Sequence, residues 1–189
     1  MTHGRYIIRA MQISGTWKSR AFLIIAPAGT GHVAEATGDT MEAVILAARD
    51  AIDARERGFR EARRYDEGMD FNVPSPREYA GVIGMAGLGK AQMQILEAHA
   101  RAGDEGMTAT ELARAGGYVD ASSANLHYGK AGRLIAEAIG IDVPIFESTQ
   151  HEGPTGVLAF WRPTPSDPDG IGRWVMYPEL REAMAMRGA

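Results

Sequence analysis

Cysteine is absent from this sequence. That removes disulfides, thiolate nucleophiles and cysteine-ligated zinc together, and it points to a reducing, cytoplasmic setting. Long apolar runs are lacking too. The longest, residues 21–28 (AFLIIAPA), is strand-sized and far short of the roughly 18 residues of a membrane-spanning helix, so no membrane partner is expected. Arg5, Arg9, Lys18 and Arg20 interrupt the early residues, and a cleaved secretory signal is not expected. Metal-binding patterns are missing as well. His3, His32, His99, His127 and His151 form no i,i+4 pair and have no carboxylate at ligating spacing. Ser122 and Ser123 lack the GxSxG setting of an activated nucleophile, and Asp167 and Asp169 are too few for a calcium loop. The expectation is a protein with no catalytic residue, no metal and no cofactor.

What is present suffices for a real core. The chain has 189 residues, 45% of them hydrophobic, enough for one domain or two small ones. Its net charge of −4 is uneven. Residues 1–64 hold ten Lys/Arg against seven Asp/Glu, whereas residues 65–189 hold ten against seventeen, a net of −7. Phosphate neutralisation supplies much of the affinity of DNA-binding proteins, so an acidic second half argues against DNA there.

Residues 1–64 read as a small ββ(β)α domain. Residues 5–13 and 17–26 are strand-like around a Ser14-Gly15-Thr16 turn, and residues 32–36 can add a third strand. Asp39 or Thr40 suits a helix N-cap, after which Met41, Val44, Ile45, Ala48, Ile52 and Phe59 recur at helical spacing. The helix ends in Arg55, Arg57, Arg60, Arg63 and Arg64. This is either a phosphate-binding patch or a solvated helix end whose cations suit the C-terminal dipole. Residues 65–78 (YDEGMDFNVPSPRE) mix Pro, Gly and acids without period and read as a linker, with Asp66, Glu67 and Asp70 serving solubility.

Residues 79–189 are better punctuated. Leu88, Gln92, Ile95, Leu96 and His99 share one face of a helix closed by Gly103. Thr108 and Glu111 have the spacing of a capping box, opening a short helix that Gly116-Gly117 stops. Asp120 or Ser122 caps a third helix over residues 123–139. Three helices with a short, capped second member are the pattern of a helix-turn-helix. Residues 157–162 and 173–177 then read as strands around a Pro/Asp/Gly loop, the wing, and Pro178 suits the first turn of a last helix.

The stretches TATELARAGGYVDASSANLHYGKAGRLIAEAIG, VLAFWR and RWVMYPELREAM resemble the winged helix-turn-helix DNA-binding family. More narrowly, TATELARAGGY with ANLHYGKAGRLI is similar to the winged-helix modules that accompany HNH-type nucleases in modification-dependent restriction proteins. This chain has no HNH motif and no cysteine pair, so the resemblance implies the module without the nuclease. The first domain resembles antitoxin-like β-sheet domains whose helix opens with Gly-Asp-Thr, here Gly38-Asp39-Thr40.

A third helix lying in the major groove would present Ser122, Ser123, Asn125 and His127 to base edges, with Tyr128, Lys130 and Arg133 nearby. Asn pairs bidentately with adenine, while Lys130 and Arg133 suit phosphate. Wing residues Arg162 and Arg173 are further phosphate candidates, or else surface cations whose stems lie on the domain. Gly129 and Gly132 each weaken the helix by about 1 kcal/mol against alanine. Their presence implies close approach of a neighbour, which is either DNA or another element of the same domain.

The expected function is therefore non-catalytic binding of double-stranded DNA, as a transcriptional regulator or a DNA-sensing factor of a defence or mobile-element system. The alternative is a protein-binding inhibitor or adaptor of the anti-defence type, such as an anti-CRISPR, which the acidic half favours. A third reading is a degenerate P-loop nucleotide binder. Gly84 to Lys90 has GxxxxGK spacing, but Ala91 stands where a magnesium-binding hydroxyl belongs. The first domain can supply a dimer sheet, so a homodimer is among the expected assemblies.

Overall fold

A computed structural model of the chain describes residues 1–26, 31–143, 153–163 and 172–187. Asp167, Asp169, His151 and most of the expected wing loop lie outside the described residues. The chain is α+β and divides into two units, Met1–Ala62 and Arg63–Ala189.

In the first unit, β2 (Tyr6–Ile13) and β3 (Thr16–Leu23) pair antiparallel, with Tyr6 opposite Leu23 and Ile13 opposite Thr16. Ser14 and Gly15 connect them at φ 49° and 84°. Two positive φ values in a two-residue connection match the right-handed twist of the flanking strands. β1 (Thr2–His3) and β4 (Ala34–Gly38) complete a sheet of order β1-β2-β3-β4. Tyr6, Ile8, Ser19, Ala21 and Leu23 are buried, while Arg9, Met11 and Arg20 are exposed. The period of two thus gives the sheet one covered face.

Helix α1 (Met41–Glu61) covers that face with Val44, Ala48 and Ile52. Thr40 caps it, its hydroxyl accepting from Ala43 N at 3.1 Å. The buried Ser19 hydroxyl donates to Val44 O at 2.7 Å, so its polar atom is satisfied inside the layer. Tyr6 OH donates to Glu56, which also receives Arg5 at 2.8 Å. Of the expected basic helix end, Arg55 lies 4.6 Å over the Phe59 ring, and Arg57 and Arg60 are exposed.

The expected linker at 65–78 is a correction. β5 (Arg64–Asp66) and β6 (Phe71–Val73) form a hairpin, and α2 (Pro76–Ile83) follows. Phe71, Val73, Tyr79, Val82 and Ile83 are buried, and that burial orders the segment despite its mixed composition. Arg63 donates to both oxygens of the buried Glu78 carboxylate, at 3.1 and 2.6 Å. Arg64 reaches Glu179 at 2.6 Å and Asp66 at 3.0 Å. These two arginines therefore serve the second unit rather than a phosphate patch on α1.

Helices α3 (Lys90–Ala102), α4 (Ala109–Gly116) and α5 (Ala121–Ile139) pack around Ile95, Leu96, Leu112, Tyr128, Ile135 and Ile139. A 3₁₀ turn, Pro154–Val157, lies against α5 and leads into β7 (Ala159–Arg162). β7 pairs antiparallel with β8 (Arg173–Met176), and Tyr177 leads into α6 (Pro178–Met186). Met107, just before α4, forms a bridge to Trp174, with both N–H···O bonds at 2.8 Å. Among the described residues no helix is long and apolar enough to cross a membrane.

Candidate nucleic-acid interface

Helices α4 and α5 each start on a side-chain cap. Glu111 N donates to the Thr108 hydroxyl at 3.2 Å, and Thr108 N donates back to Glu111 at 2.8 Å. These bonds satisfy two orphan N–H groups and hold the Glu111 carboxyl below the usual carboxylate range, helped by Arg173. At the start of α5 the Asp120 carboxylate accepts from Ser123 N at 2.7 Å, which likewise lowers its pKa.

Helical spacing then divides α5 into two faces. Ala124, Tyr128, Ala131, Gly132, Ile135, Ala136, Ala138 and Ile139 are buried. Ser122, Asn125, Leu126, Lys130, Arg133 and Glu137 are exposed, and Ser123, His127 and Gly129 are half-buried. At about 100° per residue Leu126 lies near the middle of the exposed face, between Ser122 one turn before and Lys130 one turn after. Asn125, Leu126, Gly129, Lys130 and Arg133 line one wall of a groove of about 430 Å³, with Gly153, Pro154 and Thr155 opposite.

Four of the nine residues expected to contact DNA, Ser122, Asn125, Lys130 and Arg133, thus share the exposed face, and Ser123 and His127 are half-buried. Three do not behave as expected. Tyr128 is 1% exposed, and its hydroxyl lies 2.6 Å from His99 Nδ1, so it belongs to the core and touches no groove. The reason is phase: with Ala124, Ala131 and Ile135 it completes the inward stripe. Arg173 donates to Glu105 O at 3.0 Å, Gly106 O at 3.1 Å and Glu111 at 2.8 Å. Arg162 donates to Glu105 O at 2.9 Å. A phosphate would have to displace these acceptors, so both arginines tie the strands to the segment before α4. His127 stacks on Tyr118, ring centroids 4.5 Å apart and 11° from parallel, and its carbonyl accepts from Gln92 at 3.1 Å.

The two glycines separate. A Cβ at Gly132 would overlap the Pro154 carbonyl oxygen, so this glycine admits a neighbour from within the unit. A Cβ at Gly129 would meet only the Thr155 hydroxyl at 3.6 Å, an ordinary contact. Internal packing therefore requires glycine at 132 and leaves its presence at 129, inside the groove, unaccounted for.

Charge is local. Between Asp120 and Glu137 the helix has no acidic residue, and it exposes Lys130 and Arg133. Elsewhere in the unit Glu78, Asp104, Glu111, Glu179 and Asp66 all face arginines. Sequence reading missed Leu126 and Val119, which are 73% and 100% exposed. The signal for Leu126 was its position opposite the inward stripe.

Residues 84–90 join two helices. Helix α2 leads into them where a phosphate loop needs a strand, and α3 begins at Lys90. Gly89 N donates to the Gln92 side chain at 2.8 Å, so that N–H already has its acceptor. Among the described residues no group of His, Asp and Glu side chains is placed to hold a metal. Compared with family models, curated proteins and solved structures, the chain finds no match.

Proposed function

We propose that Arg63–Ala189 is a winged helix-turn-helix module that binds double-stranded DNA through α5 without catalysing a reaction. Supporting the module are the order α3, Met107, α4, α5, β7, β8 and the bridge that adds Met107 to the β7–β8 pair as a third, minimal strand. The observation that carries the DNA reading is the exposed face of α5, where Ser122, Asn125, Lys130 and Arg133 stand together and the first carboxylate, Glu137, comes one turn beyond Arg133. Such a face suits base edges near its start and phosphate further along. The role that follows is a transcriptional regulator or a DNA sensor.

Duplex binding across a salt series tests this. Asn125→Ala should change which sequences are preferred, whereas Lys130→Ala should weaken all duplexes alike. If neither variant alters binding, α5 is not the reader. A protein-binding adaptor or inhibitor is the second reading, favoured by the fully exposed Val119 and the acidic balance of the unit. Absence of duplex binding at low salt would select it.

A further inference from the structure

We infer, resting on the DNA reading above, that Leu126 reads the C5-methyl group of a pyrimidine in the major groove. A leucine 73% exposed at the middle of a helix face is a poor choice for a solvated surface. Here it is no stray apolar residue at a rim. It has Ser122 one turn before, Asn125 beside it, and Lys130 and Arg133 after it, all exposed. The half-buried Gly129 stands less than one turn away, with nothing closer than Thr155 to the position of a Cβ. Only the Thr155 hydroxyl, 3.6 Å from the Cβ position, stands against the backbone there.

A duplex offers the major groove mostly hydrogen-bonding edges. Its apolar feature there is the methyl at C5 of thymine, or the same methyl on a methylated cytosine. Asn125 supplies the polar complement, since the adenine edge it can grip is paired with thymine. Val119, fully exposed just before the Asp120 cap, is a second exposed apolar side chain, at the start of the helix. The ligand chemistry is thus a C5-methyl-bearing base pair flanked by phosphates within reach of Lys130 and Arg133.

The test uses the full chain. Duplexes are selected from a random pool, then remade with deoxyuridine for thymidine and, separately, with 5-methylcytosine for cytosine. Loss of one methyl contact should lower affinity about four-fold, the worth of one buried carbon. The proposal predicts a loss with deoxyuridine, a gain with 5-methylcytosine, or both, and the ratio should fall to about one in Leu126→Ala. A thymine effect alone assigns ordinary A·T pairs; a cytosine effect alone assigns methylated DNA. Circular dichroism of Leu126→Ala should match the parent chain, because the side chain is exposed. If duplexes bind and neither replacement matters, or Leu126→Ala keeps the same ratios, the methyl reading is overturned while DNA binding stands. If no duplex binds at low salt, both readings fall, and Leu126 is left to a protein partner.

Discussion

Gly129 and Gly132 lie three residues apart on α5, and the sequence weighs them equally. The structure does not. At Gly132 the clash is with backbone, which cannot swing aside, so Gly132→Ala should destabilise the unit by about 1–3 kcal/mol. At Gly129 an added methyl meets a hydroxyl at contact distance, and the helix gains the propensity of alanine. Gly129→Ala should therefore raise stability by about 0.5–1 kcal/mol. Urea midpoints of the two variants check this, and a loss at Gly129 would mean that Thr155 cannot accommodate the methyl. The same Gly129→Ala change should weaken duplex binding if the groove admits DNA. Stability and affinity would then move in opposite directions, which a purely structural glycine does not allow.

At the scale of elements, His99 joins α3 to α5 and β8. The Trp174 carbonyl can only accept, so Nε2 carries the proton at 2.8 Å and Nδ1 accepts from Tyr128 OH at 2.6 Å. Burial pushes the His99 pKa down to about 4; the Trp174 carbonyl opposes this and the Arg181 charge adds to it. The unfolded chain binds this proton near pH 6.5, the folded one near 4, so acid favours unfolding within that window. Stability should fall by about 2 kcal/mol between pH 7.5 and pH 5 from this group alone. His99→Gln should flatten that slope in urea titrations at the two pH values, whereas an unchanged slope would place the titration elsewhere. Glu111 and Asp120, held below their usual values, lose their stabilising contribution in more acidic solution, as pH falls through the carboxylate range.

How legible these elements were depends on where their signals lie. Thr108 with Glu111, and Asp120, announce helix starts through side chains close in sequence, and both caps form. Ser75, Pro76 and Glu78 carry a similar signal, a hydroxyl cap with proline and an acid in the first turn, but the Pro and Gly around them obscured α2. The β5–β6 hairpin has only three residues a side and owes its order to the burial of Phe71 and Val73, which no local pattern reveals. Within the candidate site, the phase of α5 separates Tyr128 from Lys130 and Arg133. The carbonyls that engage Arg162 and Arg173 are more than fifty residues away in sequence, and no local rule would have found them.

For the whole molecule the question is how an acidic chain would hold a polyanion. Arg63 and Arg64 belong to the second unit, which makes its balance twelve Lys/Arg against seventeen Asp/Glu, a net of −5. Some of that acid faces arginines of the same unit, as in the Glu78–Arg63 and Glu179–Arg64 pairs. Residues 164–171, between β7 and β8 in the sequence, contain Asp167 and Asp169 and no Lys or Arg, so that stretch has no cation to offer phosphate. Lys130 and Arg133 are left as the exposed cations of the α5 face. Two neutralised phosphates imply a slope of about −2 for the logarithm of affinity against the logarithm of salt. Removing one cation in Lys130→Ala should bring it to about −1. Fluorescence anisotropy of a labelled duplex over a range of salt concentrations measures both slopes. A slope steeper than about −5 would mean that cations beyond α5 carry the binding, since each phosphate adds only about 0.9. A shallow slope fits a protein whose affinity is modest and whose discrimination comes from Asn125 and Leu126 at the base edges rather than from its charge.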